Sequence, residues 1–468
     1  MSQQSTGAPP ITSPGTRPAQ ASGAPAPTGT PTGTPTGPGA RDPRLAAPAV
    51  PPRRGLRRVL RTTFTGTPGR MRLVAALVAL AAAVFGVIGS QTLWTSSAAL
   101  ERADHNTTQV VRVQSIYADL LRADADATNA FLAGGLEKPV QRADYDASIG
   151  RVAQTIAEAA EAQPADGAAL GALNQQFQTY TALVEQARAY NRQGLPVGAT
   201  YLSNASAGLR SGALPIVTAL NQANTARTAE EFDLSTRSIW LAVSGGVALL
   251  VLFGGLIWLA RRTHRYLNVP VVVGVVLVLI ALVVGATTVS QVANQISSVR
   301  SSTFTATLDL ATIRSAAFDA KANESLTLIA RGSGTAFETS WASQSKVVTD
   351  AITDLGGAEA VATQSTLSTQ WAVYIKAHQA IRALDDGGEW QLAVNAAGAT
   401  GAGSANAAFA TFSDTATQAL TVSAATTSDG VLAPRTVSTF AGWALLLICL
   451  VAAGLTLRGF GQRLEEYR

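Results

Sequence analysis

A single cysteine in 468 residues rules out a disulfide framework, so any folded part of this chain is held by packing alone. Only three histidines occur, His105, His264 and His378, and they fall in segments too far apart to build one metal site. There is no phosphate loop, no dinucleotide fingerprint and no Ser-His-Asp arrangement. The stretch "GAGSAN" (401–406) lacks the third glycine of a nucleotide fingerprint and reads as a helix break. These absences point away from catalysis, a cofactor or a bound metal.

A further absence decides the class. Four runs, Leu73–Trp94, Ile239–Ala260, Val271–Val289 and Val437–Leu457, contain no Asp, Glu, Lys, Arg or His. At 1.5 Å per residue, about 20 apolar residues cross a hydrocarbon core of roughly 30 Å. The first run exceeds a signal-peptide core and is read as a span. Pumps and coupled transporters keep ionisable groups at membrane depth, so four uncharged spans disfavour transport. Small residues at Ala82, Gly86 and Ser90 suit close helix packing.

The basic residues lie on one side of the expected membrane. Arg53, Arg54, Arg57, Arg58 and Arg61 precede the first span, Arg261, Arg262 and Arg265 sit in the short turn "ARRTHRYLNVP" (260–270), and Arg458, Arg463 and Arg468 follow the last span. With four crossings, the positive-inside rule puts both termini and this hairpin in the cytoplasm of a plasma-membrane protein. The segments on the other side are acidic, with 10 basic against 15 acidic residues in 95–236 and 8 against 12 in 291–435. The pI near 9.5 thus follows from topology and gives no reason to expect nucleic acid.

Residues 1–52 form a different polymer, with 13 of the 20 prolines and the repeat "TGTPTGTPTGPG". Such a composition is expected to stay disordered. The basic segment 53–72 suits the anionic lipids of the inner leaflet, or an acidic partner.

Segments 95–237 and 291–435 are rich in helix formers and are punctuated by Gly and Pro. In the first, breaks are expected at 134–139, 162–167, 193–198 and 210–215; in the second, at 331–334, 355–357, 385–388 and 398–403. Each segment then holds four helices with a broken fourth. Val110, Val113, Tyr117, Leu120, Ala127 and Phe131 keep the heptad spacing of a bundle seam, with Asp124 the exception. Nothing breaks the helix pattern between a span and the segment beyond it, so a helix from Leu73 to about Ala133 is expected to run for roughly 90 Å.

The halves repeat. Spans one and three start 197 residues apart and spans two and four 198 apart, and at an offset of 197 "IYADLLRADADATNAFLAGG" (116–135) lies over "IRSAAFDAKANESLTLIARG" (313–332) without a gap. The predicted fold is therefore an all-α membrane protein: spans at 73–94, 238–260, 270–290 and 436–457, two outer four-helix bundles, a hairpin at 261–269 and a tail at 458–468. At the same offset Arg122 matches Asp319 and Asp124 matches Lys321; solvated charges are the default reading, and the alternative is that one of these opposite-charge pairs faces the other half across a pseudo-twofold axis. Arg112, Arg122 and Arg314 are the candidate partners for an anionic ligand.

Two spans around an outer four-helix bundle resemble the sensory modules of bacterial chemoreceptors and histidine kinases. The whole pattern of proline-rich tail, basic segment, duplicated modules and no signalling region inside, together with only four lysines in an arginine-rich chain, resembles the GlnX-type membrane proteins of actinobacteria. The resemblance rests on architecture and carries no functional residue across. It implies a non-enzymatic transducer of amino-acid availability, linking an outer solute-binding lipoprotein to a cytoplasmic Ser/Thr protein kinase. Direct ligand sensing, scaffolding and a transporter accessory role stay open beside it.

Overall fold

The computed structural model describes residues 67–132, 134, 137–263, 268–355 and 360–465. Arg53, Arg54, Arg57, Arg58, Arg61 and Arg265 lie outside the described residues, as does the proline-rich tail. Among the described residues every regular element is a helix.

The first repeat opens with α1 (Thr67–Leu132), 66 residues without a break and about 100 Å long. It is followed by α2 (Pro139–Ala162), α3 (Gly167–Arg192), α4 (Val197–Gly208), α5 (Leu214–Ser235) and α6 (Ile239–Thr263). The second repeat holds α7 (Val269–Val299), α8 (Thr305–Ile329), α9 (Thr335–Asp354), α10 (Ala360–Asp386), α11 (Trp390–Ala397) and α12 (Ala405–Glu465). Helix ends fall where glycine permits a left-handed turn: φ is +65° at Gly134, +69° at Gly194, +84° at Gly332 and Gly388, and +82° at Gly403.

Two joints differ from expectation. The "RSGALP" stretch does not interrupt its helix. It forms a π-turn, Leu209–Ala213, through which α4 passes into α5; Pro215 has no amide hydrogen and crowds the preceding turn, and the wider turn accommodates it. Conversely, the junction from α5 into the second span, read as continuous, breaks at 236–238. The Ser235 carbonyl there accepts a bond of 2.5 Å from the Ser96 hydroxyl of α1. A second π-turn, Arg300–Phe304, joins α7 to α8.

Four helical rods, running through 69–132, 197–262, 269–329 and 405–465, are long and apolar enough to cross a membrane, which makes this a multi-pass membrane protein. In the apolar layer α1 and α7 each pack against both α6 and α12, closing a ring of four. Leu80, Leu250, Phe253 and Leu447 point outward from it, as lipid-facing side chains do. Ala82, Gly86 and Ser90 all face inward. A Cβ on Gly86 would lie 2.7 Å from the Cβ of Cys449 on α12, and one on Gly245 2.9 Å from the Phe85 ring, so glycine is what lets these helices approach.

Beyond the apolar layer the two helical bundles share one core. Val110, Val113, Leu120 and Ala127 of the expected heptad seam are buried in it or beside it.

Gly86→Val is expected to cost about 1–3 kcal/mol by overpacking, whereas Gly454→Val, whose Cβ meets nothing within 4 Å, leaves stability unchanged. Thermal unfolding of both variants in lipid nanodiscs checks this; equal midpoints would remove the close-approach role of Gly86.

Candidate functional site

Asp124 is the polar exception in the α1 seam, and it is fully buried. A carboxylate there needs donors. Ser206 Oγ donates to Oδ1 at 2.6 Å, and the Tyr180 hydroxyl approaches the same oxygen at 3.5 Å. Arg210 Nη1 donates to Oδ2 at 2.8 Å. Arg210 stands in the π-turn, a geometry frequent at functional positions because it redirects a side chain off the helical register.

Arg210 also reaches the other repeat. Its Nε and Nη2 donate to Asp319 Oδ1 on α8, at 3.1 and 2.5 Å. One guanidinium therefore joins two carboxylates from the two halves, and the trio carries a net charge of −1. The two carboxylates outweigh burial and keep the guanidinium pKa above its usual value.

The charge reversal noted in the sequence does not pair the matched positions. Arg122 does not meet Asp319. Its guanidinium lies 5.6 Å from the centre of the Phe318 ring and 4.0 Å from Asp126. Lys321, at the position matching Asp124, turns into its own bundle and binds Glu324 at 2.5 Å.

Beside Arg210, α1 and α5 meet α8 and α9 around a cavity of about 260 Å³. Its polar lining includes Tyr117, Asn221, Ser315 and Gln344, and Asp319 is the sole acidic or basic side chain in it. An open groove of about 560 Å³ shares Tyr117, Thr218 and Asp319 with it and extends the site to Arg210. Burial, with the Asp319 charge adding to it, raises the Tyr117 phenol pKa. Tyr117 lies 23 residues beyond Trp94, about 35 Å along α1 from the end of the apolar run.

The arginines singled out from the sequence lie apart from this cavity, and none of the three lines it. Arg314 is buried and donates to Asp119 at 2.8 Å; burial lowers its pKa, and Asp119 opposes that. Arg112 approaches Gln109 at 3.5 Å. Arg261 and Arg262 are exposed at the end of α6.

A second polar cluster fills the core of the second bundle. Glu324, fully buried, accepts bonds from Lys321, from the Tyr374 hydroxyl at 3.2 Å, and is joined to His378 Nδ1 at 2.9 Å. Burial pushes the Glu324 carboxyl up, but Lys321 and His378 overcome it and hold the group down at about 2. Burial acts to lower the His378 pKa, yet the bonds to Glu324 and Glu338 leave it raised. The ring stacks on Trp341 with centroids 3.6 Å apart. His378, set aside in the sequence as a metal ligand, is therefore a buried link in a charged network.

Residues 99–233 match a family described as an actinobacterial sensor domain. The matched segment includes the bundle part of α1 and extends to α5, and it carries Tyr117, Asp124, Arg210 and Asn221. It supports a sensing role for this region. No curated protein and no solved structure shows significant similarity to the chain.

Two outcomes follow from these charges. Arg210→Met strands two carboxylates and is expected to destabilise the protein by about 3–5 kcal/mol, with Asp124→Asn restoring part of the loss; denaturation of the two variants in nanodiscs measures it. For Glu324, the folded group titrates near 2 and the unfolded one near 4.5. Between these values the unfolded chain binds more protons, so this contribution is complete above pH 4.5 and disappears as pH falls toward 2. The midpoint-versus-pH curve of Glu324→Gln should lose that part of its acid slope; an unchanged slope would reject the assignment.

Proposed function

We propose that this protein is a non-enzymatic transmembrane signal transducer, which relays amino-acid availability outside the cell through a solute-binding lipoprotein to a cytoplasmic Ser/Thr protein kinase. The observation that carries the reading is the continuity of α1. Residues 99–132 of the segment matching a sensor domain and the first membrane-crossing run belong to one 66-residue helix. A rod of this kind passes axial or rotational displacement across a bilayer, which a flexible linker absorbs.

The other parts fit this reading. Arg261 and Arg262 are exposed beyond the apolar layer, where a kinase or anionic lipid would meet them together with Arg265 and the cluster from Arg53 to Arg61. A signal requires the input to bind two arrangements of the helices with different affinity. The contact between repeats at Arg210 and Asp319 is where such arrangements would differ.

A second reading, direct sensing of a small molecule, is favoured by one observation: the cavity between the repeats, about 260 Å³ and lined by polar side chains. In that version no binding lipoprotein is needed.

Crosslinking of the tagged protein in growing cells, with and without added amino acids, separates these. Capture of a solute-binding lipoprotein and a Ser/Thr kinase, in yields that follow amino acids, is the expected result. Arg261→Ala with Arg262→Ala and Arg265→Ala should lower the kinase yield while the protein stays inserted. Recovery of neither partner would reject the relay and leave direct sensing or scaffolding.

A further inference from the structure

The cavity between the repeats has a chemistry that selects among ligands. Its one acidic lining side chain is Asp319, and all three bonds that the Asp319 carboxylate accepts from Arg210 and Asn323 end on Oδ1. Oδ2 takes none of them. Around it, Asp124, Arg210 and Asp319 sum to −1. An anion entering here meets an uncompensated negative charge; a cation meets a carboxylate oxygen with spare acceptor capacity.

The neighbouring groups agree. Tyr117 presents an aromatic ring, which attracts cations through its face. The Asn221 Oδ1 atom is buried and has no hydrogen-bond partner, an acceptor of the kind that native proteins ordinarily satisfy. The volume of about 260 Å³ is just below the roughly 300–1,000 Å³ of drug-sized sites, so it fits a small metabolite.

We propose that this cavity binds a small organic cation bearing a primary ammonium group, with Asp319 taking the ammonium, the Tyr117 ring alongside and Asn221 accepting a further N–H. A bound amine spans α1 and α5 of one repeat and α8 and α9 of the other, and it shares Asp319 with Arg210. Occupancy therefore changes the strength of the contact between the halves. The proposal names a ligand class for the direct-sensing reading and rests on it.

The test uses the full-length protein in nanodiscs, with putrescine, glutamate and glucose as separate probes of thermal unfolding. Putrescine is expected to give a saturable rise in the midpoint, with glutamate and glucose giving none. Asp319→Asn should weaken putrescine at least tenfold. Because that change also touches the Arg210 contact, Ser315→Leu serves as the second variant: Ser315 lines the cavity and belongs to no ion pair, and its replacement should abolish the putrescine effect by filling the space.

No shift with putrescine, an equal shift with glutamate or glucose, or undiminished putrescine binding in Ser315→Leu overturns the proposal. Spin labels at positions 261 and 462, in a Cys449→Ser background, report the sensing reading separately. Putrescine binding with an unchanged label distance leaves the ligand assignment standing and rejects direct sensing. A distance that responds to glutamate while putrescine is inert does the reverse.

Discussion

Within hydrocarbon a backbone amide has no water to turn to, so each helix that crosses must keep its own hydrogen bonds from one face to the other. The rest of the architecture is built outward from that constraint. The π-turns at Leu209–Ala213 and Arg300–Phe304 and the break at 236–238 all fall on the bundle side of the apolar runs. Where a carbonyl is released at the break, Ser96 supplies a hydroxyl. Pro434 is placed in α12 just before its apolar run begins, and the residue four before it, whose carbonyl a proline ring crowds, is Gly430.

The two halves are joined by different means at different depths. In the apolar layer, where exclusion of water offers nothing further, they meet by close approach at glycine, as at Gly86 with Cys449 and Gly442 with the Trp94 ring, whose Nε1 a Cβ would meet at 2.6 Å. Beyond it they meet through charge: Arg210 with Asp319, Arg314 with Asp119, and Arg435 with Glu101 at 2.9 Å. The last pair is exposed and worth little; the first two are screened from water and fix which surfaces pair.

Much of the helical frame was legible because it depends on local rules. Long uncharged runs, glycine at helix ends and heptad spacing along α1 all act within a few residues, and the repeat doubled the signal. What escaped was set by contacts distant in sequence. Arg210 lies in a stretch that looks like a loop, and its role depends on Asp319, 109 residues away. The misplaced Asp124 in the seam was the one local sign that a buried cation must come from elsewhere. Nothing near His378 announces Glu324 or Glu338, since 54 and 40 residues separate them. Arginines chosen by type alone, Arg112, Arg122 and Arg314, have internal partners.

The rods are not mechanically equivalent. Rods one and four, α1 and α12, are single helices from bundle to loop end, while rod two is interrupted at 236–238 and rod three carries a π-turn. The pseudo-symmetric repeat thus yields a pair of unbroken struts and a pair of jointed rods, with each bundle holding one of each. Load applied to either bundle is borne by its strut and relieved at its joint. A repeat of similar halves thereby acquires a direction: the strut leads out of the first bundle at the start of its repeat and out of the second at the end. The two struts lie side by side through the apolar layer, in contact where Gly86 meets Cys449.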